Sequence, residues 1–453
     1  MKETTNLALP LAGAPSLPPQ APLSTLLALG GLLTGGRPEQ QAYERLAHRH
    51  GPLVTVPTPM LGNVVMLLEP RLVRAMMSSP PGALISGRGN AVLGFLYGRS
   101  SMFLVDGEPH HRLRRLLVPP FRNRDTLARY AEVIEAVAED VLDALPVGKP
   151  FALLPELRHG MLEIILRVVF GIQDEARLQP FREAMTELLD LSTSAATTAR
   201  FALRRWGGLR RWERLQQALA RSNALIYDQI RRHREDPATE QRDDILALLL
   251  RTRTEDGNLL TDTEIRDQLV TLLIAGHETT ATTLAWAMER LLRTPDALAK
   301  LKADFAAGST AYADAVVSET LRLRPPIPMF SREVAGDFEI GGYRLPPRTL
   351  LVAHVGYIHQ RADLFPDPQA FRPERFLEGR QELGSYSPFG GGLHSCIGNH
   401  FAALEVRLFL RVLLARGDFG VPSNSPEWQM RKTILNLPWQ GARVTLKRRA
   451  VRP

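Results

Sequence analysis

The chain of 453 residues is 44% hydrophobic and 23% charged, ordinary globular composition with ample apolar surface for a large core, which excludes fibrous and wholly disordered proteins. Its 56 basic residues outnumber 48 acidic ones, a balance of +8, yet no paired Cys/His finger spacing, basic zipper or RNP-like aromatic run accompanies the excess, so no nucleic-acid partner is expected. The one cysteine, Cys396, excludes an internal disulfide and a structural zinc held by cysteine pairs.

In chain order, residues 1–37 read as a proline-rich irregular leader and 38–453 as a single domain. The apolar run 23–33 is about half the length that spans a bilayer and is interrupted by Thr25, Gly30 and Gly31. Glu3 and Asn6 dilute any secretory start. No transmembrane anchor is expected, and the default location is cytoplasmic. Short β-like stretches fall at 53–68, broken by Pro57, Pro59 and Gly62, and at 337–355, where Gly341-Gly342 reads as a hairpin turn. Apolar residues at helical spacing predict helices over 130–145, 155–170, 178–191, 213–235 and 244–251. Thr261-Asp262-Thr263-Glu264 is a capping box opening a helix that Pro295 stops. At about 30 residues it is roughly 45 Å long and crosses the molecule. Its stripe Ile265, Leu269, Leu272, Gly276, Thr279, Thr283 turns small and polar at the middle. No linker or repeat divides the chain, so the fold class is mainly α with minor β: one large helical domain with small β-sheets.

Four segments carry chemistry. Phe389-Gly390-Gly391-Gly392-Leu393-His394-Ser395-Cys396-Ile397-Gly398 precedes a helical pattern at Phe401, Leu404, Leu408 and Val412. A cysteine at a helix N-terminus meets free amides and a dipole that favour a thiolate, a soft metal ligand. The glycines let backbone approach a flat cofactor closely, although a buried structural cysteine beside a Gly-rich loop remains the plainer alternative. No Lys-Ser/Thr follows the glycines, which excludes a phosphate loop. In the long helix, Ala275-Gly276-His277-Glu278-Thr279-Thr280 places an acid beside an alcohol, a proton-relay arrangement. Threonine bonding back to an upstream carbonyl can loosen the ladder there, with simple packing as the alternative. Ala281 stands where a zinc-protease helix needs histidine. Glu319-Thr320-Leu321-Arg322 sets an acid and a base on one helix face before Pro325-Pro326, by itself a surface pair of small value. In Gly107-Glu108-Pro109-His110-His111-Arg112-Leu113-Arg114-Arg115, His110 and Arg114 at i and i+4 can share one anionic target, unless the segment is a solvated basic face.

The run from Phe389 to Gly398 resembles the haem-binding loop of the cytochrome P-450 family, the thiolate-ligated haem monooxygenases. The other three segments, with Phe371-Arg372-Pro373-Glu374-Arg375-Phe376, resemble family segments in family order over about residues 105–400. The resemblance implies the cytochrome P-450 fold and heme b, iron protoporphyrin IX. It makes Cys396 the iron ligand with Phe389 packed near it, and sets Gly390, Gly392, Gly398 and Gly276 against the cofactor. His110, Arg114, Arg332 and His394 would hold propionates, His394 standing where many members have arginine. Thr279 would hold the oxygen ligand and its water, Glu278 would feed protons, and Glu319, Arg322 and Arg375 would form a structural network. Phe95, Leu272, Ala275, Met329, Phe330 and Leu435 are implied pocket residues. Their apolar character points to a lipophilic substrate such as a fatty acid, terpenoid or steroid, with one oxygen atom from O2 entering a C–H or C=C bond.

With 57 residues after Cys396, electrons are expected from a separate ferredoxin and ferredoxin reductase. Arg112, Arg115, Arg407 and Arg411 offer a basic docking face for such an acidic partner. Arg200, Arg204, Arg205, Arg210 and Arg211 near the implied entrance are either solvated or a carboxylate anchor. A peroxide-using or isomerising haem-thiolate enzyme stays open as an alternative, as does a haem sensor or carrier without turnover.

Overall fold

A computed structural model describes residues 16–22, 37–58, 62–86, 90, 94–192, 209–253, 257–379 and 381–452. Parts of the leader, residues 91–93 and 193–208, and with them Arg200, Arg204 and Arg205, lie outside the described residues, as do the side chains of Arg210 and Arg211.

Among the described residues, the α-helices longer than four residues are α1 (Arg37–His50), α2 (Pro70–Met77), α3 (Gly107–Leu117), α4 (Arg124–Ala144), α5 (Leu153–Val168) and α6 (Glu175–Ser192). They continue with α7 (Leu209–Glu235), α8 (Ile245–Arg251), α9 (Asp262–Leu292), α10 (Pro295–Ala306), α11 (Ala311–Leu323) and α12 (Asn399–Arg416). The capping box at the head of α9 forms as its sequence dictates. Thr261 Oγ1 accepts the Glu264 N–H at 3.2 Å, and the Glu264 carboxylate accepts the Thr261 N–H at 2.9 Å, an arrangement worth about 1 kcal/mol. Helix α4 starts six residues before the predicted 130 because the Asn123 side chain accepts from Asp125 N at 2.9 Å and Thr126 N at 3.1 Å. A cap set the boundary there, not the apolar spacing.

One five-stranded sheet dominates the β structure: β1 (Leu53–Thr58), β2 (Gly62–Leu67), β3 (Leu84–Ile85), β4 (Phe330–Val334) and β5 (Leu350–Ala353), in spatial order β1-β2-β5-β4-β3. Only β2 and β5 pair in parallel. The predicted Gly341-Gly342 hairpin is present between Phe338–Ile340 and Tyr343–Leu345, both glycines having positive φ (58° and 84°). β6 (Gln429–Lys432) and β7 (Leu435–Pro438) form a two-stranded ribbon near the C-terminus. Residues 16–22 of the leader are docked on β1: Thr55 N bonds Pro19 O at 2.9 Å and Ala21 N bonds Thr55 O at 2.8 Å.

Two cores follow from these layers. The larger packs α4, α5, α9 and α12 around residues such as Ile134, Ile165, Leu273, Leu284 and Phe409. The smaller lies between α1, α2 and the five-stranded sheet. Helix α9 is buried on nearly every face, with Trp286 fully enclosed, which is why its apolar pattern is continuous rather than striped toward the C-terminal half. Among the described residues, no helix is long and apolar enough to cross a membrane.

Candidate active site

The Cys396 loop is shaped by two requirements on its glycines. Gly390 and Gly392 have φ of 65° and 67°, a region costly for side-chain-bearing residues. A Cβ on Gly392 would overlap the Met77 carbonyl at the end of α2, and one on Gly391 would overlap the Met77 sulfur. The close approach demanded of Gly391 and Gly392 is thus to α2, whereas a Cβ on Gly398 would meet nothing within 4 Å. The loop closes through Cys396 N to Phe389 O at 3.0 Å and delivers Cys396 just before α12, with Phe389 packed on the larger core.

The Cys396 side chain is exposed. The surrounding protein pushes its thiol pKa up, opposed by the Gly398 N–H donating to the sulfur and by the positive Arg114 nearby. Arg114 itself clasps the preceding residue, with Nη1 on Ser395 O and Nη2 on Ser395 Oγ, each at 2.8 Å. It therefore grips the loop with two of its five N–H donors, which leaves the others for the anionic target it would share with His110.

Beside the loop lies a cavity lined by Met76, Asp106, His110, Phe330, Arg332 and His394. The His110 and His394 rings stack at 3.9 Å, and His394 Nε2 is 3.3 Å from Asp106 Oδ1. His110 Nδ1 is buried with no hydrogen-bond partner. Burial first, then His394 and Arg114, push its pKa down to about 4. Arg332 is desolvated, lowering its pKa to about 10; its Nη1 bonds the Ser331 carbonyl at 2.7 Å and its guanidinium lies over Phe330. An orphaned imidazole nitrogen and a dehydrated guanidinium in one wall suit an anionic occupant. With a soft sulfur ligand alongside, the donor set fits a metal cofactor carrying carboxylates.

In α9, Ala275 is exposed and Ile274, Gly276 and Thr279 are partly so, although the residues on either side are buried. Thr279 Oγ1 donates to Ala275 O at 2.7 Å and Thr283 Oγ1 to Thr279 O at 2.8 Å, the back-bonding expected of a loosened ladder. The carboxylate of Glu278 is engaged by Arg158 of α5, with Nε at 2.9 Å and Nη2 at 2.7 Å. Glu319, Arg322 and Arg375 are brought together and buried. Glu319 accepts from Arg322 Nε at 2.7 Å and Arg375 Nε at 3.1 Å, while Arg322 Nη1 reaches the His359 and Pro368 carbonyls at 2.9 Å each. The three form the network that the family resemblance implies, and the pair that looks like a surface one in isolation is a core element.

The pocket candidates are spread over separate groups. Phe95 packs in a small cluster with Leu188, Leu215 and Ile274, Met329 and Phe330 against the smaller core, and Leu272 and Leu435 within the larger one. The basic docking face changes character in the structure. Arg112 pairs with Glu264, Arg115 with Glu108, Arg407 with Asp314 and Arg411 with Glu135. Each charge is matched by an acid, which weakens the field these four arginines offer to an acidic partner.

Sequence reasoning missed Glu405 on α12. It is 3% exposed, and burial pushes its pKa up to about 8 despite a hydrogen bond with Thr280. Its signal was an acid on the apolar face of a helix. Because the folded state holds this proton above the ordinary carboxyl value of 4.5, stability is expected to fall as pH rises from about 4.5 to about 8, by up to about 1.4 kcal/mol per pH unit. Denaturant titrations of Glu405→Gln should show that this component of the slope has gone; an unchanged slope would place the titration elsewhere.

Comparisons with known proteins converge on one family. The cytochrome P-450 family profile matches residues 16–446. Cytochrome P-450 137 of Mycobacterium tuberculosis is 38% identical over 440 residues, 96% of this chain and 92% of that protein. Cytochrome P-450 135B1 of Mycobacterium bovis is 38% identical over 405 residues, 88% and 85% of the two chains. The structure of a retinoic acid-bound cyanobacterial protein, CYP120A1, superposes with a TM-score of 0.81 at 24% identity, covering 96% of this chain and 99% of that one. The chain belongs to the cytochrome P-450 family, the haem-thiolate monooxygenases.

Proposed function

We propose that Cys396 would hold the iron of heme b, and that the chain inserts one oxygen atom from O2 into a C–H or C=C bond of a lipophilic small molecule. The observation that carries this reading is an accessible sulfur on a loop beside a wall that holds the orphaned His110 nitrogen and the desolvated Arg332 guanidinium. Haem with a thiolate ligand supplies the oxygen-activating chemistry, the sulfur's electron density favouring O–O cleavage. The chain's own residues do the rest. The Gly398 amide tempers the sulfur's basicity. His110, Arg332 and His394 hold the propionates, and Arg114 steadies the loop through Ser395. Thr279 spends its hydroxyl proton on Ala275 O, so its lone pairs face the groove as acceptors that can hold a water. Glu278 is the acid of the relay: once its carboxylate exchanges Arg158 for water and takes a proton from that water, it can pass the proton on to Thr279 Oγ1.

The apolar pocket candidates support a fatty acid, terpenoid or steroid-like substrate. Electrons come from a separate ferredoxin and its reductase. A single cysteine that must remain a free thiolate suits a reducing compartment, the cytoplasm. Thr279→Ala is expected to leave electron consumption near the wild-type rate while most electron pairs emerge as hydrogen peroxide, measured as peroxide formed per donor oxidised. Tight coupling in that variant would remove Thr279 from the relay. Turnover by the wild type on hydrogen peroxide alone, as fast as with electron donors, would favour the peroxide-using alternative.

A further inference from the structure

The first two turns of α9 hold a block of polar residues where a core helix would ordinarily carry apolar ones. Arg266, Asp267, Gln268 and Thr271 are 7%, 2%, 0% and 4% exposed. Burying charge is costly unless every partner is supplied, and here the partners come mainly from the backbone of one irregular segment, residues 96–103. Arg266 donates Nη1 to Tyr97 O at 3.2 Å and Nη2 to Leu96 O at 3.3 Å. Its Nε bonds Asn223 Oδ1 of α7 at 2.8 Å, and its Nη1 also bonds Asp267 Oδ1 at 2.9 Å. The other Asp267 oxygen accepts the Ser100 N–H at 2.9 Å. Gln268 works in both directions, donating to Ser100 O at 2.7 Å and accepting from Met102 N at 2.9 Å.

The hydroxyl protons can be assigned as well. Thr271 Oγ1 donates to Asp267 O at 2.6 Å, so in its 2.7 Å contact with Ser101 the serine is the donor. Ser101 Oγ in turn accepts the Phe103 N–H at 3.1 Å. Each polar group in the block thus has a defined role, and one arrangement of the segment satisfies all of them. Gly98 sits at the closest point with φ of 87°, and a Cβ there would overlap the Asp267 carboxylate.

What the block holds is next to the site. Phe95 and Leu96 pack with Leu188 of α6, Leu215 of α7 and Ile274 of α9. Ile274 immediately precedes Ala275, the exposed residue of the groove, and Thr271 lies one helical turn before it. Because the clamp grips mainly backbone, with Ser101 Oγ the one side chain of the segment described in it, it fixes the path of the segment and leaves Phe95 and Leu96 to present apolar surface.

We propose that Arg266, Asp267, Gln268 and Thr271 are positioning residues that hold segment 96–103 as a rigid wall of the substrate pocket, making the polar start of α9 a determinant of which molecules reach the Ala275–Thr279 groove. The inference rests on the monooxygenase reading of that groove. Two variants attack the clamp from opposite sides. Asp267→Asn keeps the shape but offers one acceptor and one donor where both Arg266 and Ser100 present donors. Gly98→Ala leaves α9 untouched and displaces the segment.

Both variants are compared with wild type as haem-loaded proteins, using imidazole and 4-phenylimidazole as iron-binding probes read by the Soret shift. Hydrogen exchange of the Ser100 and Met102 amides is followed in parallel. In both variants the 4-phenylimidazole Kd is expected to shift about tenfold, the imidazole Kd by less than about twofold, and the two amides to lose protection. Lost protection with an unchanged ratio of the two Kd values overturns the selecting role, and retained protection in both variants overturns the clamp. The carbon monoxide spectrum of the wild type is recorded first. Absence of the haem-thiolate band would overturn the reading of the site itself, a failure distinct from either result with the variants.

Discussion

Replacing Cys396 by serine is expected to abolish the strongly red-shifted Soret band of the ferrous carbon monoxide complex, and with it oxygen insertion. The expectation follows from the ligand's chemistry. A thiolate is a polarizable anion at a pH where a serine hydroxyl stays protonated, so the variant loses both the soft bond and the electron density that favours O–O cleavage. The loop should survive the change, because the bonds that shape it do not involve the sulfur: Cys396 N to Phe389 O, and Arg114 to Ser395. Serine fills nearly the same volume, and the native side chain is exposed rather than wedged in the core. The measurement is therefore a pair: the difference spectrum with carbon monoxide, and a thermal midpoint that moves little. A variant that keeps the red-shifted band would remove Cys396 as the ligand.

Glu319→Gln is expected to cost about 3–5 kcal/mol of stability, the usual penalty for stripping one partner from a buried ion pair. That is a large share of the roughly 5–15 kcal/mol by which a domain is stable. Glu319 is 0% exposed and Arg322 is 0% exposed. One Glu319 oxygen also accepts the Arg372 N–H at 2.9 Å. The two guanidiniums then hold carbonyls of a long irregular stretch: Arg322 bonds His359, Pro368 and Ala370, and Arg375 bonds Pro366. His359 continues the chain of contacts by accepting the Ser387 N–H at 3.0 Å, two residues before Phe389. Removing the one negative charge leaves two buried cations facing each other. Urea unfolding should show the loss directly, and haem retention should fall with it. A change below about 1 kcal/mol would mean that the carbonyls alone suffice to hold the arginines.

The long α9 and its cap were legible because the signals are local: a Thr/Glu pair three apart, apolar residues at helical spacing, and a proline beyond the end. The Cys396 loop was legible because its composition is unusual, although the reason for Gly391 and Gly392 was not. Their neighbour Met77 is more than 300 positions away in sequence, a contact that no local pattern reports. The same applies to Glu319, which reads as a surface pair until the packing of α11 against 366–376 encloses it. Helix α1 is charged along most of its length and α2 has only eight residues, so neither offers a long apolar stripe. The strands near the C-terminus are four to seven residues long, and their pairing partners include Pro150–Ala152, again far away in the chain. The ion pairs on the implied docking face were hidden for a related reason: a count of arginines says nothing of the acids that fold beside them.

Helix α3 joins two parts of the site that would otherwise be independent. Its residue 110 stands in the cavity wall, stacked on His394, while residue 114, one turn later, is bonded twice to Ser395. A helix turn is stiff, so the helix acts as a short lever with both arms on the same loop. Any force on its outer surface, where Glu108 and Arg115 pair, reaches the cavity wall and the Cys396 loop in one movement. The tilt of α3 thereby becomes a single mechanical coordinate for the cavity wall and the Cys396 loop together.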